Sequence, residues 1–321
     1  MGRASSRKKT RQAEQMRHQA HDSAGQSLSA PVARFLEDHS IRHSPLVARA
    51  ETPIRLVTTS LGLLEQCWAN HADRLVPEPT SGILLNLLHR NYEQVEGALV
   101  GLVTGCGPMA EVAARAAMEL SATVLYILIG DKNRRVLAYF RAYVTQTRKE
   151  TSKWRDAASA IADAGDRQVH LKAVEYRGQF VSALQNTIED LHEQFGVARD
   201  EATESWPGAV LSRFEAIGQV TSYRTFYTRL SSSVHGDAEE TLRYLIGKAS
   251  GDEAILRQMG AETVEFCRYV VFESAAMYML ATSAYAYAFH CHSEADRLRK
   301  GMAEIRDQME LFADRIGAPP L

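Results

Sequence analysis

Between residues 223 and 236, four side chains able to handle protons or phosphates recur at an interval of four: Tyr223, Tyr227, Ser231 and His235, with Gly236 directly after them. On a continuous helix that interval sets two phenols, a hydroxyl and an imidazole along one face. Such a row can conduct protons or orient a bound substrate. The same residues can also serve structure alone, as two core aromatics, a small packing residue and a histidine bonded to a carbonyl near a helix end.

A second pattern sits on an apolar helix. Arg115 and Glu119 are set among Ala113, Ala114, Ala116, Ala117, Met118 and Leu120. Two charges taken out of water cost free energy unless they pair well and find further hydrogen bonds. The order Arg before Glu is the weaker one for an exposed helical pair, which argues against simple surface stabilisation. The expectation is an inward Arg115–Glu119 ion pair that touches the helix bearing His235, a role that structure alone would also satisfy.

A third pattern is Arg134, Arg141, Arg148 and Arg155, one arginine every seven residues. Seven residues are nearly two helical turns, so the four form a slowly drifting stripe of about 30 Å. A stripe of this kind can follow a nucleic-acid backbone, or it can be a solvated face paired with acidic neighbours.

These patterns need helices to position them, and the whole chain reads as helical. Its 321 residues are 45 % hydrophobic and 24 % charged, with nine prolines, and spacings of three and four recur where strand-like alternation does not. The expected class is all-α: a multi-helix bundle with a long antiparallel helical hairpin and a central buried helix. Residues 1–28 read as a disordered basic tail and 29–321 as one helical domain. Residues 1–21 carry six cations against one anion, so the tail is +5 and the remainder −7 within a total of −2. A body that acidic is not a general nucleic-acid binder.

Pro31 opens a short helix, and a longer one is expected from Pro53 to Arg74. The next carries Leu84, Leu88, Val95 and Leu99 at core spacing and closes at Gly105. Met109 to Ile129 is apolar nearly all round and reads as the central helix. Two charged helices, about Arg134–Ala164 and Arg167–Phe195, form the expected hairpin over Ala164-Gly165-Asp166. Residues 200–208 read as a loop, followed by a short helix over 209–217 and another over 219–235. The last third is one helical region from Ala261 to Arg315, broken near His292. Its stretch 269–291 has the length of a membrane span but the Ala, Ser and Tyr content of a packed bundle helix, so no membrane is expected. The four cysteines are far apart in sequence, and three consecutive residues, His290, Cys291 and His292, cannot converge on one ion from a helix. No metal or cofactor site and a reducing cytoplasm are the expectations.

Taken together, Arg115 and Glu119 on an apolar helix, Tyr139-Phe140-Arg141 on a long charged helix, and the later Tyr-x3-Tyr-x3-Ser-x3-His-Gly look like an uncharacterised family of bacterial helical proteins over roughly residues 80–240. The ending also resembles the HEPN superfamily, helical proteins that often dimerise and often act as metal-independent ribonucleases in toxin–antitoxin and antiviral systems. Its motif, Arg and His separated by four to six residues, is matched by Arg229 and His235 with five between them; the polar residue usual after that Arg is Leu230 here. What the resemblance implies is a cytoplasmic homodimer that binds or cuts RNA. His235 would exchange a proton with the ribose 2′-hydroxyl or the leaving oxygen, Arg229 would stabilise phosphoryl charge, and Tyr227 and Ser231 would orient the phosphate. Six positions along a regular helix separate Arg229 and His235 by about 120°, so convergence requires a distorted helix or a partner subunit. Two other readings stand beside it: a non-catalytic interaction module, and a small-molecule sensor lined by Tyr223, Tyr227 and His235. The sequence holds no phosphate-binding loop, zinc motif or nucleophile elbow of a kinase, protease or dehydrogenase.

Overall fold

The computed structural model describes residues 29–39, 41, 46–198, 205–230, 238–251 and 253–316, and every regular element among them is helical. The elements are α1 (Ala30–Asp38), α2 (Val47–Asn70), the single turn α3 (Ala72–Leu75), α4 (Pro79–Thr104), α5 (Gly107–Leu128), α6 (Lys132–Ser159), α7 (Ala164–Phe195), α8 (Val210–Ala216), α9 (Val220–Ser222), a π-helical segment (Tyr223–Tyr227), α10 (Ala238–Ser250), α11 (Glu253–Ala288) and α12 (His292–Ile316). The basic tail, with Ser231 and His235, lies outside the described residues.

Local chemistry sets most of the boundaries. Pro79 opens α4, where its missing N–H costs nothing, and Gly105 closes it in the left-handed region at φ 77°. Cys106 N–H then donates to Gly101 C=O at 2.7 Å, which folds α5 straight back on α4. The two helices approach so closely that a Cβ on Gly101 would lie 2.8 Å from the Ala110 backbone nitrogen, so only glycine fits there. Asp131 and Asp163 cap α6 and α7 by accepting the N–H groups of Arg134 and Asp166.

Several boundaries differ from expectation, among them the start of α11 at Glu253 where Ala261 was expected, with α10 before it a helix the sequence pattern did not mark. The hairpin turn lies at residues 160–163, not at Ala164-Gly165-Asp166, because the Asp163 cap starts α7 before Gly165 can act as a breaker. The helix expected to open at Pro53 starts at Val47 and carries Pro53 in its second turn, buried. It also stops at Asn70, and a separate turn follows.

α5 is the central helix, packed most extensively on α4 and α11. Ala110, Ala114, Ala117, Met118 and Ala122 turn inward from α5, against Leu84, Leu88, Val95 and Leu99 of α4 and Val270, Phe272, Tyr278 and Tyr285 of α11, all within 1 % of full burial. The small side chains of α5 let its neighbours come close, and each buried Leu or Phe around it stabilises by about 1.5–3 kcal/mol. α6 and α7 form the long antiparallel hairpin with a smaller core of Leu137, Val144, Val181 and Ile188. Phe140 and Phe195 pack on both cores. α11 and α12 meet at His290, which adopts φ 62°, an uncommon left-handed backbone for a residue with a Cβ.

Cys67 at the end of α2 and Cys291 at this junction are joined by a disulfide across 224 residues of sequence, which the spacing of the cysteines did not suggest. Among the described residues no helix is long and apolar enough to cross a membrane.

Two predictions follow from the core. Closing so long a loop removes unfolded-state entropy, so Cys291→Ala, or reduction, should lower stability by about 2–5 kcal/mol in a denaturant titration of oxidised protein. An unchanged midpoint would show that the bond constrains nothing. Burial pushes the Glu273 carboxyl above its ordinary range, and Ser222 and Arg306, which favour the carboxylate, offset this only in part. An acid raised in the folded state costs stability as pH climbs from its unfolded value through its folded one. Glu273→Gln should therefore raise the melting temperature at pH 8, with the gain shrinking towards pH 4; a constant difference across that range would refute the assignment.

Candidate functional site

The site is built on one carboxylate. Glu119 projects from α5, accepts from Arg213 Nη2 of α8 at 3.1 Å on one oxygen, and accepts from the Tyr227 hydroxyl at 3.0 Å on the other. Arg115, one turn earlier on α5, donates to the same hydroxyl at 3.4 Å and places its guanidinium 4.9 Å from the centre of the Tyr227 ring. The expected Arg115–Glu119 ion pair does not form. Tyr227 bridges the two, and Glu119 pairs with Arg213 instead, a residue the sequence reading passed over.

The physical reason lies in burial. The Arg213 side chain is only 7 % exposed whereas that of Glu119 is 42 % exposed. A guanidinium removed from water demands a counter-charge, and Glu119 is the carboxylate within reach. Burial also pushes the Tyr227 phenol up, aided by Glu119 and opposed by Arg115, so the hydroxyl stays protonated and available as a donor.

Around this latch lies an aromatic shell. Phe214, fully buried, sits 5.4 and 5.7 Å from Tyr223 and Tyr227, whose rings stack at 5.1 Å with 20° between planes. The two tyrosines open and close the π turn, four positions apart. The four-residue row is therefore not a continuous α-helical face. Beyond the latch, Trp206 packs against Tyr126 and Tyr139 at 5.2 and 5.1 Å, and Arg213 lies 5.5 Å from its ring centre. Trp206 and Arg213 had read as a loop residue and a residue of a short helix. The trace they left was a tryptophan in an otherwise acidic loop.

Arg229, two residues past Tyr227, points to another neighbour. Two positions turn a helix by about 200°, so while Tyr227 faces α5, the exposed Arg229 stacks 3.9 Å over Phe266 of α11. The structure thus separates Tyr227 from Arg229. The helix is distorted, but at 223–227, before the arginine. Of the arginine stripe, Arg134 pairs with Asp131 at 3.4 Å, Arg141 contacts His192 of α7, and Arg148 donates to Gln185 of α7. Arg155 is exposed. The hairpin interface occupies the middle of the stripe. Cys291 is spent on Cys67, and among the described residues no group of His, Cys, Asp or Glu is arranged to hold a metal.

The latch can be tested by its energetics. Tyr227→Phe removes one hydroxyl from a carboxylate and should cost about 1–2 kcal/mol, while Glu119→Ala strands the Arg213 guanidinium and should cost about 2–3 kcal/mol, discounted because Glu119 is partly solvated. The two losses should be non-additive in a double-mutant cycle of chemical denaturation. Strict additivity would mean that the two side chains do not act as one unit.

Comparison with known proteins places the latch in a family context. No curated protein and no solved structure matches the chain. A model of a family of unknown function, DUF5677, matches residues 82–254, a segment that contains α4 to α10 and with them Arg115, Glu119, Tyr139, Trp206, Arg213, Tyr227 and Arg229. The match covers more than half of the chain, and the chain belongs to this DUF5677 family.

Proposed function

We propose that the protein is a HEPN-like, RNA-directed helical protein that cuts single-stranded RNA without a metal, through Arg229 and His235. The observation that carries this reading is the two-sided mounting of the helix. Tyr227 fixes one face to α5 through Glu119 and Arg115, which leaves Arg229 exposed on the other, six residues before His235. A cation mounted on a fixed, solvent-facing helix side suits a developing phosphoryl charge, because nothing has to reorganise when the charge appears. In this reading Tyr227, facing α5, serves as the anchor, and the phosphate is left to other groups. Tyr223, stacked on Tyr227, buttresses the same anchor. Ser231 lies between Arg229 and His235 in sequence and retains the phosphate-orienting role.

The reading extends to a cytoplasmic homodimer in a toxin–antitoxin or antiviral system, in which the partner's copy of the segment completes the site. In a reducing compartment, burial of Cys67 and Cys291 at 0 % and 1 % exposure would slow attack on their disulfide by thiols in solution. The competing reading is a non-catalytic interaction module. The latch supports that reading equally well in one respect, since an ion pair and a bridged phenol specify helix register.

Cutting of labelled single-stranded RNA by the purified full chain, in chelator, separates the two. His235→Ala and Arg229→Ala, each matched to wild type in thermal stability, should lower the rate by about 10²- to 10⁴-fold. Intact RNA with wild-type protein, or equal cutting by the variants, would assign the chain to the interaction module.

A further inference from the structure

A groove opens beside the latch, lined by Glu119 and Arg213 themselves. It has two lobes, of about 550 and 620 Å³, which share Ala142, Gln146, Trp206 and Arg213. Each lobe is of the size that takes a small ligand. The first is lined by Tyr139, Tyr143 and Trp206 together with Glu119, Gln94 and Gln146. The second is lined by Arg141, Lys149, Thr145 and Ser205 together with Arg213, and among the described residues no carboxylate lines it.

The two lobes differ in chemistry in a way that fits one kind of molecule. The first offers flat apolar faces plus an acceptor-only group, and Glu119 keeps lone pairs beyond those given to Arg213 and Tyr227. The second offers cations, and Lys149 stands exposed at its edge. Arg213 joins the two. It is 6 % exposed, it spends Nη2 on Glu119 and Nη1 on the Pro207 carbonyl, and its buried Nε–H has no partner among the described residues.

We propose that this groove binds a guanine nucleotide, with the base in the lobe of Glu119 and the phosphate in the lobe of Arg141, Lys149 and Arg213. Base stacking on Tyr143 and Trp206 supplies sequence-tolerant attraction, as aromatic platforms do for single-stranded nucleic acids. The carboxylate supplies the choice. Guanine presents two adjacent N–H donors, N1–H and the N2 amine, to a carboxylate, whereas adenine and cytosine present one amine and uracil one imide. The nucleotide is either free or an unpaired residue of an RNA strand, and the same lobes serve both. Binding here does not depend on cutting at Arg229 and His235.

Isothermal titration of the full-length protein with GMP, AMP and UMP, and with pentaribonucleotides containing or lacking one G, tests the assignment. GMP or the G-containing strand should bind about tenfold or more tightly than its counterparts. Glu119→Gln should erase the preference for G. Lys149→Ala should weaken all the nucleotides alike, by about fivefold, and flatten the salt dependence. Because Glu119→Gln also loosens the latch, the exposed Tyr143→Ala serves as a second variant that should weaken binding without lowering the melting temperature. Binding of the strand but not of GMP identifies RNA as the source, and binding of GMP but not of the strand identifies the free nucleotide. Absence of both, no preference for G, or indifference to Lys149→Ala and Tyr143→Ala would overturn the proposal. Because titration reads binding directly, that result would leave the cutting assay unaffected.

Discussion

A guanidinium withdrawn from water has to meet its counter-charge, and in this protein the need of Arg213 organises everything around it. Glu119 turns to it from α5, and the second carboxylate oxygen is then free to take the hydroxyl of Tyr227. Through those two bonds α8 and the π-helical segment are tied to the central helix of the bundle. Arg115 adds to the grip from the same helix face. The pair stands where core meets groove, so the same carboxylate that satisfies a buried cation remains partly in contact with solvent.

How legible was this in the sequence? Helix ends were, where a single residue decides them. Gly105 and Gly196 close their helices in the left-handed region and Asp131 caps the next, each acting on neighbours within four positions. Where two local signals competed the reading slipped. Gly165 looked like a turn residue, but Asp163 had already capped the helix that contains it. Pro53 looked like a start, but its ring can be housed within the second turn of a helix that packing holds together.

The candidate site was half legible for the same reason. Two charges in an alanine-rich helix announced that something polar had to meet them, yet the periodicity of one helix cannot say what. The partner arrives from a seven-residue helix 94 positions downstream, where an arginine beside a phenylalanine carries no mark of its own. The π turn left no trace either. Tyr-Arg-Thr-Phe-Tyr is as compatible with an α-helix, and the extra residue in the turn is imposed by the packing of Phe214, Phe226 and Tyr227 into the core. The disulfide was the least accessible, because proximity between Cys67 and Cys291 exists only once α2 and the α11–α12 junction have docked.

That bond has a mechanical meaning. The residues it joins lie outside the matched family segment, one before residue 82 and one after residue 254. The whole segment therefore lies within a closed covalent ring, hung from the contact between α2 and the α11–α12 junction. A force applied between the outer stretches of the chain passes through the two sulfurs and bypasses the ring, so the latch and the groove would feel no tension while α1 and α12 are pulled away. A backbone cut inside the ring opens it without releasing either piece. The matched segment is in this sense load-free, and its breakage is uncoupled from that of the outer helices.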